Sequence, residues 1–169
     1  LKKKGYIVGF NLMQSAGKPL AIFTEILAII NSWRAVDVLY FADSLGNMTK
    51  DEVKRILSIL KSNWSGEIGI HAHDNMECAL ENTMYSLEQG VSWVDGTVLG
   101  MGRGAGNVKI ENLILSIKGN CSACDALNLL SLNEFKKLKC KYNWGSNIYY
   151  YIAAKNGMHP TYIQTLMSD

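Results

Sequence analysis

What this sequence lacks narrows its options first. No apolar run approaches the roughly 20 residues that a membrane span requires, and no signal-peptide pattern opens the chain. Charge of one sign is not in excess. The net charge of +2 is too small to point to nucleic acid or an anionic membrane as the partner. The one basic run, Lys2-Lys3-Lys4, reads as a solvated lead-in. Cysteine is sparse: Cys78, Cys121, Cys124 and Cys140 fall far short of the density of a secreted disulfide framework. Reduced thiols in a cytoplasmic protein are expected. Low-complexity stretches and clear linkers are missing as well.

What is present is an ordinary globular composition, 48% hydrophobic and 19% charged, with mean hydropathy close to zero. A length of 169 residues suits one domain with a real core, or a piece of a larger one. The chain opens on Leu1 and enters a strand-like run almost at once, so an N-terminal part of the natural protein is expected to be missing.

Strand and helix patterns alternate along the first two thirds. Tyr6–Asn11 reads as a buried strand, and Pro19 suits the first turn of the helix that follows. Val36–Ala42 is a second strand, and Thr49 with Glu52 forms a capping box for a second helix. Glu67–His71 is the third strand; Asp74 and Glu77 repeat the capping-box spacing before a helix to Glu88. Trp93–Leu99 reads as a fourth strand containing Asp95, followed by the loop Gly100-Met101-Gly102-Arg103-Gly104-Ala105-Gly106-Asn107 and a helix over Ile110–Ile117. Strand ends fall roughly 30 residues apart, the repeat of a (β/α)₈ barrel. The expected fold is therefore α/β: parallel strands with outer helices, four βα units making the C-terminal half of a TIM barrel over residues 1–119. Residues 120–169 are expected to form a helical and irregular extension, irregular over Cys121–Leu132, with short helices near Asn133–Lys139 and Ile148–Asn156.

The chemistry-bearing stretch is Glu67-Ile68-Gly69-Ile70-His71-Ala72-His73-Asp74-Asn75. Side chains two apart on a strand share a face, so His71 and His73 aim two imidazoles at one point where a strand ends. Chemistry in parallel α/β folds sits at that end. A lone histidine would be read as part of a satisfied core; this pair reads as metal-binding. With oxygen donors added, the pair suits an octahedral Mn²⁺ or Mg²⁺ ion. Asn107 offers a hard amide oxygen but is otherwise a typical helix cap. Asp43 and Ser44 end the neighbouring strand on the same rim, where Asp43 is read either as a cap or as a functional group.

The glycine loop formally satisfies a dinucleotide fingerprint through Gly100, Gly102 and Ala105. A Rossmann unit would place a strand ending in an acidic residue about 20 positions on. Asn120-Cys121-Ser122-Ala123-Cys124-Asp125 stands there instead, so the loop, with Gly104 at its centre, is read as a substrate-side loop. Cys121-x-x-Cys124 has no second ligand pair for zinc and reads as two loop thiols. Trp144, Tyr149-Tyr150-Tyr151 and His159 are read as structural.

Together Gly69–Asn75, Gly90, Val94-Asp95-Gly96-Thr97 and Gly100–Asn107 resemble the DRE-TIM metallolyase superfamily, which includes HMG-CoA lyase, isopropylmalate and citramalate synthases, and 4-hydroxy-2-oxovalerate aldolase. Tyr40-Phe41-Ala42-Asp43-Ser44-x-Gly46 looks most like the aldolase branch, as does the segment from Trp144 to Tyr162. The resemblance implies a TIM barrel whose divalent metal is held by His71 and His73, with Asn107 as an added ligand. It also implies a substrate-carboxylate contact at Ser44. Asp43 and Gly104 are expected to line the substrate site.

The family's remaining metal ligand, an Asp with a neighbouring Arg on the first strand, has no counterpart here, and the general base is expected in the same missing segment. The cysteine that HMG-CoA lyase carries in its glycine loop is absent from residues 99 to 107. The implied function is a metal-dependent aldolase or lyase acting on a 2-oxo acid, this chain being an inactive fragment alone. Its partners would be a homo-oligomer and, in the aldolase branch, a dehydrogenase. The alternatives are a Claisen-type synthase joining acetyl-CoA to a 2-oxo acid, or a non-catalytic barrel-derived module.

Overall fold

In the computed structural model, residues 1–119 and 122–168 are described, Ser168 by its backbone alone. Four strands form one parallel sheet in sequence order: β1 (Gly9–Leu12), β2 (Val38–Asp43), β3 (Glu67–Ala72) and β4 (Trp93–Val94). The crossovers carry helices α1 (Leu20–Trp33), α2 (Lys50–Asn63) and α3 (Ala79–Glu88), and α4 (Ile110–Lys118) follows the glycine loop. This is the parallel α/β half-barrel arrangement the sequence predicts. Among the described residues, no helix is long and apolar enough to cross a membrane.

Two-residue alternation divides the strands into an outer and an inner face. Leu39, Phe41, Ile68, Ile70 and Ala72 point outward and are buried against Phe23, Leu27 and Ile30 of α1 and the apolar stripe of α2. That stripe (Val53, Ile56, Leu57, Leu60) has the i, i+3, i+4, i+7 spacing of one helix face. The helix starts where the sequence says: the Thr49 hydroxyl accepts the Glu52 amide at 3.3 Å. The inner face is different in kind, carrying Tyr40 and Ala42 on β2 and Gly69 and His71 on β3.

Several elements differ from expectation. β1 begins at Gly9 rather than Tyr6, because Val8 already gives its carbonyl to the amides of Asp37 and Val38 at the strand entrance. α3 begins at Ala79, since a turn through Glu77 (φ +59°) delays the helix and Asp74 Oδ1 accepts from the Ala79 amide at 3.1 Å. β4 is only two residues long; the Asp95 amide still donates to the Ile70 carbonyl at 3.3 Å, and the chain then enters a 3₁₀ turn at Val98–Gly100. Cys121 lies outside the described residues. Ser122–Leu130, expected to be irregular, forms helix α5, which runs through a π turn (Ser131–Phe135) into α6 (Lys136–Tyr142). The strong helix formers Ala123, Ala126, Leu127, Leu129 and Leu130 outweigh the cysteine and asparagine residues among them. Helices α7 (Ile148–Lys155) and α8 (Pro160–Ser168) complete the chain.

The extension packs on the sheet's C-terminal rim. Tyr150, Ala153 and Ile163 form a small buried cluster with Ala105 of the glycine loop. The Gly145 amide donates to the Gly104 carbonyl at 3.0 Å, and the Asn47 side chain to the Ala154 carbonyl at 3.3 Å.

Leu60 is fully buried between α2 and the sheet. Leu60→Ala should cost about 2–5 kcal/mol of unfolding free energy in urea titration. An unchanged midpoint would contradict this placement of α2.

Candidate metal centre

His71 pairs with Ala42 across the ladder, and the His73 amide continues it by donating to the Asp43 carbonyl at 3.3 Å. Both histidines therefore stay on the inner face. Their rings lie edge to face, with centroids 5.2 Å apart at 81°.

A carboxylate fixes the first imidazole. His71 Nδ1 lies 2.9 Å from Asp95 Oδ2, so Nδ1–H donates to the carboxylate and the Nε2 lone pair faces away from it. Asp95 also accepts the Tyr40 hydroxyl; burial, with the Asp95 charge and hydrogen bond, pushes that phenol up to about 12. Tyr40 reaches this position by lying across Gly69, where a Cβ would come within 2.6 Å of its ring. The result is a Tyr40–Asp95–His71 chain, the kind of outer support that sets a ligating histidine's tautomer and basicity. The sequence marks Asp95 as a carboxylate in an apolar strand but assigns it no role, and the hydroxyl of Tyr40 gives no signal at all.

Backbone pairing brings in the second half of the site. His73 and Asn107 form an isolated antiparallel bridge, and the Asp74 amide donates to the Gly106 carbonyl at 3.0 Å. Glycine is required for the loop to close: at Gly106 (φ +85°) a Cβ would fall 2.0 Å from the Gly100 carbonyl oxygen. Asn107 Nδ2 donates to the Met101 carbonyl at 3.1 Å. That bond leaves Oδ1 as the outstanding acceptor. His73 Nδ1 and Asn107 Oδ1 are both buried without a hydrogen-bond partner.

Burial holds the His73 pKa down to about 4, helped by the charges of His71, Arg103 and His159, so the imidazole is neutral at neutral pH. Two neutral or carboxylate-supported imidazoles and an unsatisfied amide oxygen fit a divalent cation of mixed N/O preference. Among the described residues, no group of three His, Cys, Asp or Glu side chains converges. The fit is to a partial ligand set.

The other expected site residues lie around this point in different roles. Both Asp43 oxygens are engaged by loop amides, Oδ1 by Asn47 at 2.9 Å and Oδ2 by Met48 at 3.0 Å. Burial raises its pKa to about 6, with those amide bonds pulling the other way. Asp43 thus builds the rim loop rather than facing the histidines. Ser44, also buried, accepts the Gln14 amide at 2.9 Å and ties the end of β1 to the end of β2. Gly104 (φ +63°) faces the extension: a Cβ there would lie 3.2 Å from both Pro160 Cβ and the Tyr150 ring. Cys124 is buried near the start of α5, remote from the site in the chain.

A parallel strand end bearing a carboxylate-supported histidine pair and closed by a glycine loop is the rim architecture of a parallel α/β half-barrel. The chain belongs to the HMGL-like family, which it matches over residues 1–138. It is 36% identical over 130 residues to 4-hydroxy-2-oxovalerate aldolase from Thermomicrobium roseum, covering 76% of this chain and 36% of that protein. Oxaloacetate decarboxylase from Mycobacterium tuberculosis is 33% identical over 92 residues, covering 53% and 27% respectively. In structure, the N-terminal domain of an aldolase candidate from Bacteroides vulgatus superposes with a TM-score of 0.83 at 29% identity, covering 99% of this chain and 56% of that one. Bacillus subtilis HMG-CoA lyase shares the fold with a TM-score of 0.70 at 18% identity, over 91% of this chain and 56% of that one. The chain thus spans little more than a third of the aldolase it matches.

Because the folded-state pKa of His73 lies below the unfolded 6.5, the unfolded chain binds the extra proton between those values. Its contribution to stability is complete above pH 6.5 and is lost as pH falls toward about 4. Metal-free protein should lose stability over that window, and His73→Asn should flatten the profile. Parallel wild-type and variant curves in pH-dependent urea unfolding would contradict a buried neutral His73.

Proposed function

We propose that this chain carries the metal-binding strand and glycine loop of a divalent-metal-dependent aldolase that cleaves a 4-hydroxy-2-oxo acid to pyruvate and an aldehyde, or runs the reverse addition. The observation that carries the proposal is the pair of buried, unpartnered atoms, His73 Nδ1 and Asn107 Oδ1, beside an imidazole already fixed by Asp95. Membership of the HMGL-like family supports it, as do the relatives, an aldolase and a decarboxylase whose names both denote 2-oxo acid chemistry.

His71, His73 and Asn107 would hold the ion, Mn²⁺ or Mg²⁺. When bound, it supplies Lewis-acid polarisation of the 2-oxo group. The protein's own part is orientation and charge. Asp95 and Tyr40 hold the His71 ring, the Met101 carbonyl holds the Asn107 amide, and the Ser44 rim receives the substrate carboxylate. Cleavage takes the C4 hydroxyl proton to a base and breaks the C3–C4 bond, releasing the aldehyde. The electron pair stays on the three-carbon fragment, which takes up a proton at C3 to become pyruvate. The base and the remaining ligand belong to βα units outside residues 1–119.

Those units would pack along β1, an edge strand in this sheet, where Met13, Ile22, Ile29 and Trp33 stand exposed around an apolar groove of about 440 Å³. Association of the complete barrel into a homo-oligomer, and with a dehydrogenase that consumes the aldehyde, belongs to the same reading.

Full-length protein with Mn²⁺ should release pyruvate from a 4-hydroxy-2-oxo acid and lose that activity in EDTA. His71→Ala or His73→Ala should lower it by at least a hundredfold. Asp95→Asn should weaken Mn²⁺ binding about 10–100-fold in calorimetry. Acetyl-CoA-dependent release of CoA without 2-oxo acid cleavage would instead identify a Claisen-type synthase. Titrations of wild type and His71→Ala that coincide would identify a non-catalytic module. The isolated 169-residue chain should be inactive.

A further inference from the structure

Three successive carbonyls at the entrance of the glycine loop each hold a different group. The Leu99 carbonyl accepts the Trp144 indole Nε1–H at 3.0 Å. The Gly100 carbonyl accepts the Asn107 amide at 3.1 Å, and the Met101 carbonyl accepts Asn107 Nδ2 at 3.1 Å. The last two bonds fix where Asn107 stands and which way its carboxamide is turned, with Oδ1 left buried and unpartnered. The first bond comes from the extension. Leu99 itself is strained: its φ of +51° lies in the left-handed region, which a leucine keeps only where its surroundings hold it there. Two groups do so, Trp144 at its carbonyl and Glu111 Oε2, which accepts its amide at 3.2 Å.

Trp144 reaches the loop because α6 ends on Asn143 in the left-handed region (φ +51°) and Gly145 (φ +137°) turns the chain back. The buried ring also touches the far arm of the loop: its Cδ1 lies 3.6 Å from where a Cβ at Gly106 would stand. The next amide, that of Gly145, donates to the Gly104 carbonyl at 3.0 Å. Trp144, Leu99, Gly100 and Asn107 line one cavity of about 290 Å³. Packing alone explains the ring, but not an N–H aimed at the carbonyl of the strained residue. Resting on the metal-dependent aldolase reading, we propose that Trp144 is a positioning residue for the metal centre. Through Leu99 it holds the Gly100 and Met101 carbonyls where they aim Asn107 Oδ1 at the ion. The extension is then part of the site, since a residue read from sequence as scaffold sets a ligand's direction.

Trp144→Phe in full-length protein keeps an aromatic ring and removes the donor. Its Kd for Mn²⁺ in calorimetry should rise about tenfold. Electron spin echo modulation of the Mn²⁺ protein in D₂O should keep both imidazole nitrogen couplings. The deuterium modulation should grow by one bound water, as Oδ1 leaves the ion, and Asn107→Ala should show the same gain. On the Asn107→Ala background, Trp144→Phe should change the Kd by less than about twofold, because the residue through which it acts is gone. Glu111→Ala releases the Leu99 amide from the other side without touching the buried ring. It should repeat the pattern, and it carries the test where Trp144→Phe does not fold.

Wild-type Mn²⁺ affinity and water count in folded Trp144→Phe, or in Glu111→Ala where it does not fold, would reduce Trp144 to packing and overturn the proposal. An equal loss of affinity with and without Asn107 would overturn it too, since the effect would then be a general loosening of the rim. Loss of an imidazole coupling in Trp144→Phe would overturn the assignment to Asn107. If the wild type itself neither binds Mn²⁺ nor cleaves a 4-hydroxy-2-oxo acid, the aldolase reading fails, and this proposal fails with it. A wild type that does both while Trp144→Phe matches it leaves the aldolase reading standing alone.

Discussion

The antiparallel bridge between His73 and Asn107 is the contact on which the site depends. A parallel strand ordinarily ends in a free rim, and a long glycine loop ordinarily wanders. Here the loop returns to the rim as backbone, with Gly106 accepting the Asp74 amide and the Gly100 carbonyl receiving the Asn107 amide. Only glycine at positions 100, 102 and 106 permits so close a return, since added Cβ atoms would strike the loop itself. Two polar atoms are buried as a consequence and left without protein partners. Leaving such groups unsatisfied costs on the order of 1–3 kcal/mol each, and a bound cation would remove that cost.

Support for the histidines comes from the inner face of the sheet. Tyr40 on β2, Gly69 on β3 and Asp95 just beyond β4 act as one unit: the glycine makes room for the ring, the phenol meets the carboxylate, and the carboxylate sets the imidazole. The outer face meanwhile carries the apolar core against the helices. Stability and chemistry are thus divided between the two faces of the same strands, as two-residue alternation permits.

Much of this was legible in the sequence because it depends on short-range patterns. The spacing of His71 and His73, the order of βα units and the Thr49 cap follow from periodicities of two and 3.6. What was not legible is set by contacts distant in sequence. Asp43 looked like a candidate substrate group, but its oxygens are taken by the amides of its own loop. Gly104 looked like a substrate contact, but it makes room for Pro160 and Tyr150, about 50 positions on. The α5–α6 helix was hidden by low-contrast polar residues.

The central claim is that His71 and His73 ligate one ion. Electron spin echo modulation of full-length protein carrying a single Mn²⁺ tests it most directly. The expected spectrum shows nitrogen couplings from two imidazoles, reduced to one in His71→Ala and in His73→Ala. A wild-type spectrum without histidine nitrogen coupling, or one unchanged by both substitutions, would contradict the account.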